Sequence, residues 1–219
     1  SCAAVAREIR SNLDFLATAL RDVPERHRSV RAVFAYSWQT LSPEAQMAFA
    51  RLSVFQGGCQ REAATAVSNA TLPILTSLVD KSLLRLGENG RYQIHELLRQ
   101  FAAEKLAAFP DISQQTRALH AHYYTRFLGD RFAEMTGGAQ QTAVQEVATE
   151  LDNVRAAWQW AVSQCDGPAL AYAVTTLHTF YQYQGRFREG VDALQTAVAA
   201  LQATSPSPER DGSLAMLLS

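Results

Sequence analysis

The sequence predicts a mostly α protein: a winged-helix domain with one small β-hairpin, followed by antiparallel helical hairpins. Three observations carry this. Hydrophobic side chains recur at helical spacing along most of the 219 residues. Eleven Gly and seven Pro are too few for the many turns of a large β-sandwich. The period changes from helical to alternating in one place only, around 84–94. Hydrophobic residues at 47% against 19% charged give enough apolar surface for a core, which excludes wholesale disorder.

In chain order, Val5, Ile9, Leu13, Leu16 and Leu20 mark one face of a first helix. Pro24 and the polar run 25–28 break it. Val30, Val33, Phe34 and Trp38 mark the next helical face. Ser42-Pro43 is a helix start, since Ser caps free amides and Pro needs no N–H partner in the first turn. Ala45, Ala48, Phe49 and Leu52 follow, with Gly57-Gly58 as the stop. Short helices are predicted at 61–67 and 72–81, the latter with Leu75, Leu78 and Val79 inward. Leu84 and Leu86, then Tyr92 and Ile94, alternate about the turn Gly87-Glu88-Asn89-Gly90, a β-hairpin signal. Leu98, Phe101, Ala102 and Leu106 resume a helix that ends before Pro110.

The remaining residues read as helical throughout. Asp111 or Ser113 opens a helix to about Leu128, and Gly137-Gly138 lies in a loop. Val147, Leu151, Val154, Trp158 and Val162 trace one stripe near 140–164. Helices at 169–183 and 187–202 form a hairpin about Gly185, and Ser207-Pro208 starts another helix. Three domains are expected: 1–22, the end of a preceding helical domain; 23–110, the winged helix; and 111–219, the repeat region. Both chain ends fall inside helical patterns, which reads as an excerpt from a longer protein.

Several function classes lose support. Twenty basic and 21 acidic residues give a formal net charge of −1, so nothing advertises nucleic acid or an acidic membrane as partner. Cys2, Cys59 and Cys165 are scattered and odd in number, which fits a reducing cytoplasm rather than a disulfide framework or zinc site. No apolar run reaches membrane-spanning length. His120 and His122 are two apart on a helix and do not share a face, so they are read as exposed neighbours of Tyr123 and Tyr124, and no metal site is expected. There is no GxSxG elbow and no GxxxxGK[ST] loop, so the chain itself should not be an enzyme. The helix at 72–81 offers Lys81 as its only cation, beside Asp80, and the hairpin adds Arg85 and Arg91 with Glu88. That is sparse for phosphate contacts. Arg26, Arg28 and Arg31 read as a solvated or interdomain face. Trp158 lies on the apolar stripe, leaving Trp160 to pack against an adjoining hairpin.

Two resemblances sharpen the reading. The stretch Tyr181-Gln182-Tyr183-Gln184-Gly185-Arg186-Phe187-Arg188-Glu189-Gly190, with Ala197 beyond it, resembles the turn region of a tetratricopeptide repeat. Leu177 fits an inner packing position; His178 stands where a small residue is usual. On that alignment Tyr172, Thr175, Thr179 and Gln182 line the inner face of the first helix, a candidate groove for a protein or peptide ligand. The segment 23–38 is similar to the entrance of the winged-helix domain in bacterial signal-transducing STAND NTPases, relatives of the NB-ARC switches. So are Phe49 to Phe55, Leu78 to Leu84, and above all Arg91-Tyr92-Gln93-Ile94-His95-Glu96-Leu97, which resembles the family's Met-His-Asp element with Ile94 for Met and Glu96 for Asp. Glu150 to Ala157 resembles the helix that precedes repeats in such regulators.

The resemblance implies a cytoplasmic, nucleotide-gated regulatory switch. The parent protein would bind ADP or ATP in an upstream P-loop domain, with no cofactor held by this chain itself. His95 would hold the β-phosphate of ADP and keep the resting state, with the phosphate favouring a protonated ring. The alternatives are a DNA-binding winged-helix transcription regulator with a protein-binding repeat region, and a plain scaffold without a nucleotide role.

Overall fold

A computed structural model describes residues 30–218. The first predicted helix, the linker with Arg26 and Arg28, and all of the proposed domain 1–22 lie outside the described residues. The chain divides into two compact units, one ending at Thr116 and the other beginning at Arg117.

In the first unit, α1 (Val30–Gln39), α2 (Pro43–Leu52), α3 (Arg61–Ser68) and α4 (Leu72–Asp80) precede β1 (Arg85–Leu86) and β2 (Tyr92–Gln93), and α5 (Glu96–Ala107) follows. Ser42 caps α2 by accepting from the Ala45 amide at 3.3 Å, with Pro43 in the first turn. Phe49, Leu52, Leu75, Leu78 and Phe101 form the core between α2, α4 and α5. Phe34 and Trp38 bring α1 onto Phe101, with ring centroids 6.0 and 6.1 Å apart, and the Lys105 ammonium stands 5.0 Å from the Phe101 ring centre. Val33, expected inward, is 39% exposed, while Phe34 and Trp38 of the same stripe make the contacts with Phe101.

The hairpin pairs Arg85 with Gln93 and Leu86 with Tyr92, antiparallel. Gly90 takes φ +74, whereas Asn89 serves differently: its Oδ1 accepts from the Arg91 amide at 3.2 Å. A bridge between Cys59 and Tyr92 extends the pairing on the other side of β2. It follows Gly57 and Gly58, at φ +71 and +90, a conformation that glycine adopts readily. Tyr92 and Leu84 are buried, but Leu86 is half exposed, so the alternation expected of Leu84 and Leu86 ends at Leu84.

Helix α6 (Pro110–Gly129) contains the boundary between the units. The second unit continues with α7 (Phe132–Met135), α8 (Gln140–Thr149), α9 (Leu151–Ser163), α10 (Gly167–Tyr183), α11 (Phe187–Gln202) and α12 (Pro208–Leu218). The single stripe predicted over 140–164 is two helices, because Glu150 leaves helical geometry at φ −97, ψ +6. Helix α10 packs against α9, α11 and α12. Two glycines allow close approach: a Cβ on Gly190 would stand 3.1 Å from Tyr181 Cβ, and one on Gly167 would stand 2.7 Å from Ser213 Oγ. Gly185, at φ +67, closes the α10–α11 turn, in which the Arg186 amide donates to Tyr181 O at 2.9 Å.

Candidate functional site

His95 sits between β2 and α5 and is exposed. It is the N-cap of α5: its Nδ1 accepts from the Leu97 amide at 3.3 Å. A ring nitrogen that accepts carries no proton, so Nε2 bears the hydrogen and is left as a donor. A doubly protonated imidazolium has no acceptor and would forfeit the cap. With the cap in place, the geometry leaves Nε2 as the ring's donor.

Glu96 has a separate task. Its two oxygens receive Nη2 and Nε of Arg99, both at 2.8 Å, and Oε1 also accepts from Gln100 Nε2 at 3.0 Å. The bond from Arg99 holds the Glu96 carboxyl below its usual range, against the opposing effect of partial burial. Arg99 Nη1 reaches back to Ser53 O at 3.3 Å, at the end of α2. The longer Glu thus forms a two-pronged clamp that fixes the first turn of α5, while capping falls to the neighbouring His95.

The surfaces that would meet DNA carry few available cations. Arg91 is buried and donates from Nη2 to Gly58 O at 3.0 Å. Lys81 Nζ donates to Thr40 Oγ1 at 3.2 Å, and Arg31 pairs with Glu104. Arg85 is exposed on β1. Leu72 of α4 and Leu86 of the hairpin are each about half exposed, so both elements show apolar surface.

Tyr172, Thr175, Thr179 and Gln182 lie along one strip of α10, all exposed except the half-buried Thr179. Much of their polarity is used locally. Tyr172 donates its hydroxyl to Asp130 Oδ1 at 2.7 Å, Thr179 donates to Thr175 O at 2.7 Å, and Gln182 Nε2 lies 2.8 Å from His178 Nε2. The Tyr172 ring lies directly over Gly129, where a Cβ would collide with it.

One cluster escaped the sequence reading. His120 is buried, not exposed: on α6 it falls on the same face as Tyr124 and Leu128, turned into the core. Its Nε2 lies 3.3 Å from Asn153 Oδ1. Asn153 Nδ2 and the Tyr124 hydroxyl both donate to Glu150 Oε2 at 2.9 Å. Burial drives the His120 pKa down to about 4, only partly offset by the bond to Asn153 and the Glu150 charge, so the ring is neutral at pH 7. The break after α8 is what turns Glu150 inward. Polar residues spaced to share faces, His120 with Tyr124 and Glu150 with Asn153, were the available signal.

Trp158 is buried and donates Nε1–H to Ala193 O at 3.2 Å, and Trp160 is half buried with the Arg117 guanidinium 5.9 Å from its ring centre. Arg155 of α9 donates from Nε to Glu189 Oε1 at 2.7 Å and from Nη1 to Asp152 Oδ1 at 2.9 Å. The Tyr181 hydroxyl donates to the same Glu189 oxygen at 3.1 Å. Burial and the Glu189 charge push Tyr181 up to about 12. Among the described residues, no group of three His, Cys, Asp or Glu side chains is placed to hold a metal ion, and no helix is long and apolar enough to cross a membrane.

The fold and this surface define a mostly α protein in which a hairpin-bearing helical unit precedes helical hairpins. The chain is 30% identical over 198 residues to a Mycobacterium tuberculosis protein (strain H37Rv) provisionally named an HTH-type transcriptional regulator, and equally to a counterpart in Mycobacterium bovis. The match covers 84% of this chain and 22% of each relative, so the chain spans about a fifth of the length of these curated relatives. No protein-family model matches it, and no solved structure does.

Proposed function

We propose that the chain is a regulatory portion of a bacterial, cytoplasmic transcriptional regulator. Its winged helix couples to the rest of the protein, and its helical hairpins, resembling tetratricopeptide repeats, receive a protein or peptide signal. The observation that carries this reading is similarity over 84% of the chain to proteins named as HTH-type regulators. The sequence has no GxxxxGK[ST] loop, and the role we propose for it is conformational.

Within that reading the winged helix has two possible uses. Direct DNA contact is what the relatives' names suggest most simply. Against it stand the buried Arg91, the engaged Lys81 and the half-exposed Leu72 and Leu86. A protein-facing winged helix suits that surface better, with DNA contact made elsewhere in the parent protein. Fluorescence anisotropy with a random 25-bp duplex separates the two. The expected result is dissociation weaker than about 100 µM at 150 mM salt, at or beyond the weak end of non-specific binding. Micromolar binding that weakens steeply with salt would place the DNA contact on this unit instead.

The nucleotide switch is the finer proposal. In the parent protein, an ADP phosphate held by an upstream P-loop domain would accept from Nε2 of His95, whose ring orientation the Leu97 amide already fixes. Exchange for ATP would change that contact and release the winged helix, a population shift driven by differential contacts. In the parent protein, His95→Ala and His95→Asn are both expected to speed ADP release about tenfold. Asn retains N-capping ability, so faster release in the Ala variant alone would reduce His95 to a cap.

A further inference from the structure

Helices α9, α10 and α11 line a half-open cavity of about 370 Å³ in the second unit. Its floor is apolar: Val154, Trp158 and Leu177, each no more than 5% exposed. It lies on the side of α10 away from the Tyr172–Gln182 strip, since Leu177 and Tyr181 are on the opposite helical face. Its walls are braced. The Trp158 indole is tied to Ala193 O, Arg155 bridges Asp152 and Glu189, and Tyr181 adds a bond to Glu189. The volume falls in the range of small-molecule sites, which combine an apolar lining with a few fixed polar groups.

The charges select the occupant. One cation, Arg155, and two carboxylates, Glu189 and Asp192, line the cavity. Arg155 and Glu189 neutralise each other at 2.6 Å, and Arg186 adds a second cation to Glu189 at 2.7 Å. The exposed Asp192 side chain has no hydrogen-bond or ion-pair partner among the described residues, so it is the charge left to attract a ligand. We infer that this cavity binds a small amine, with an aromatic or branched aliphatic body on the Trp158–Leu177 floor and a protonated nitrogen against Asp192. The inference stands apart from the regulatory reading, because binding is read at the cavity whether or not the parent protein controls transcription.

The test is titration of the ¹⁵N-labelled chain with phenethylamine and, separately, 3-phenylpropanoate, a similar body of opposite charge. The readout is the Trp158 indole N–H resonance, whose hydrogen bond to Ala193 O lies in the cavity wall. The amine is expected to shift that resonance with at least tenfold higher affinity than the carboxylate. Asp192→Asn should weaken the amine about fivefold and leave the carboxylate unchanged or slightly tighter. Thr196→Trp, at the exposed rim, should plug the cavity and abolish both, with the remaining spectrum reporting an intact fold. Equal affinities, no shift at Trp158 with either probe, or amine binding untouched by both substitutions would overturn the inference.

Discussion

Gly58→Ala is expected to cost the first unit about 3 kcal/mol and to detach the Cys59–Tyr92 bridge. Two effects add. The backbone at φ +90 is unfavourable for any residue with a Cβ, by about 1–2 kcal/mol. The new methyl would also stand 2.5 Å from Tyr92 O, a backbone atom of β2 that cannot swing aside like a side-chain tip. Relief requires the 57–59 loop to move, which breaks the reciprocal bonds Cys59 N to Tyr92 O at 2.9 Å and Tyr92 N to Cys59 O at 2.8 Å. The bond from Arg91 Nη2 to Gly58 O would be strained by the same movement. Hydrogen exchange at the Cys59 and Tyr92 amides reads the outcome. Protection equal to the parent chain would show that the loop accommodates the methyl.

Acidification should weaken the second unit through His120. Folding lowers the pKa of this base from 6.5 to about 4, so between those values the unfolded chain binds more protons than the folded one. Stability therefore rises with pH across this window and is lost as pH falls below 6.5. The loss is about 2 kcal/mol at pH 5 and about 3 kcal/mol by pH 4. His120→Leu removes the titration and should flatten the profile, at the cost of the bond to Asn153. Hydrogen exchange across α9, corrected for intrinsic rates, isolates the second unit from the first. A wild-type profile no steeper than that of His120→Leu between pH 7 and 5 would mean that another group or local opening dominates.

Helical spacing and caps made much of the fold legible. Ser42-Pro43 marks the start of α2 because a hydroxyl acceptor and an imino acid each suit one position of a helix N-terminus. The turn at 87–90 is readable for the same local reason. The break at Glu150 was not, because it contains no Gly or Pro. Glu150 is held instead by a local bond from Asn153 and a tertiary one from Tyr124, and the latter depends on α6, which precedes the break by a whole helix. The same long-range pairing hid His120: a histidine adds no apolar signal of its own, and the partner that accounts for its burial, Asn153, lies on α9, far along the chain.

His95 was half legible. The motif put it at the hairpin–helix junction, but the choice of ring nitrogen is set by the Leu97 amide, a backbone group without a sequence signature. The groove residues show the opposite limit. Helical spacing placed Tyr172, Thr175, Thr179 and Gln182 on one strip, yet their mutual and neighbouring bonds follow from where Asp130 and His178 happen to stand.

The seat of Tyr172 on Gly129 has a thermodynamic consequence. A half-exposed tyrosine ordinarily samples several rotamers, and a binding partner must select one, at about 0.5–1.5 kcal/mol for an immobilised side chain. Here the bare Gly129 backbone admits the ring and Asp130 anchors its hydroxyl, so one orientation is selected during folding. A partner arriving at this face would meet a ring already at rest. Gly129→Ala would hand that ordering step back to the encounter, slowing no chemistry and removing no contact from the partner, yet weakening the complex by the entropy restored to one side chain.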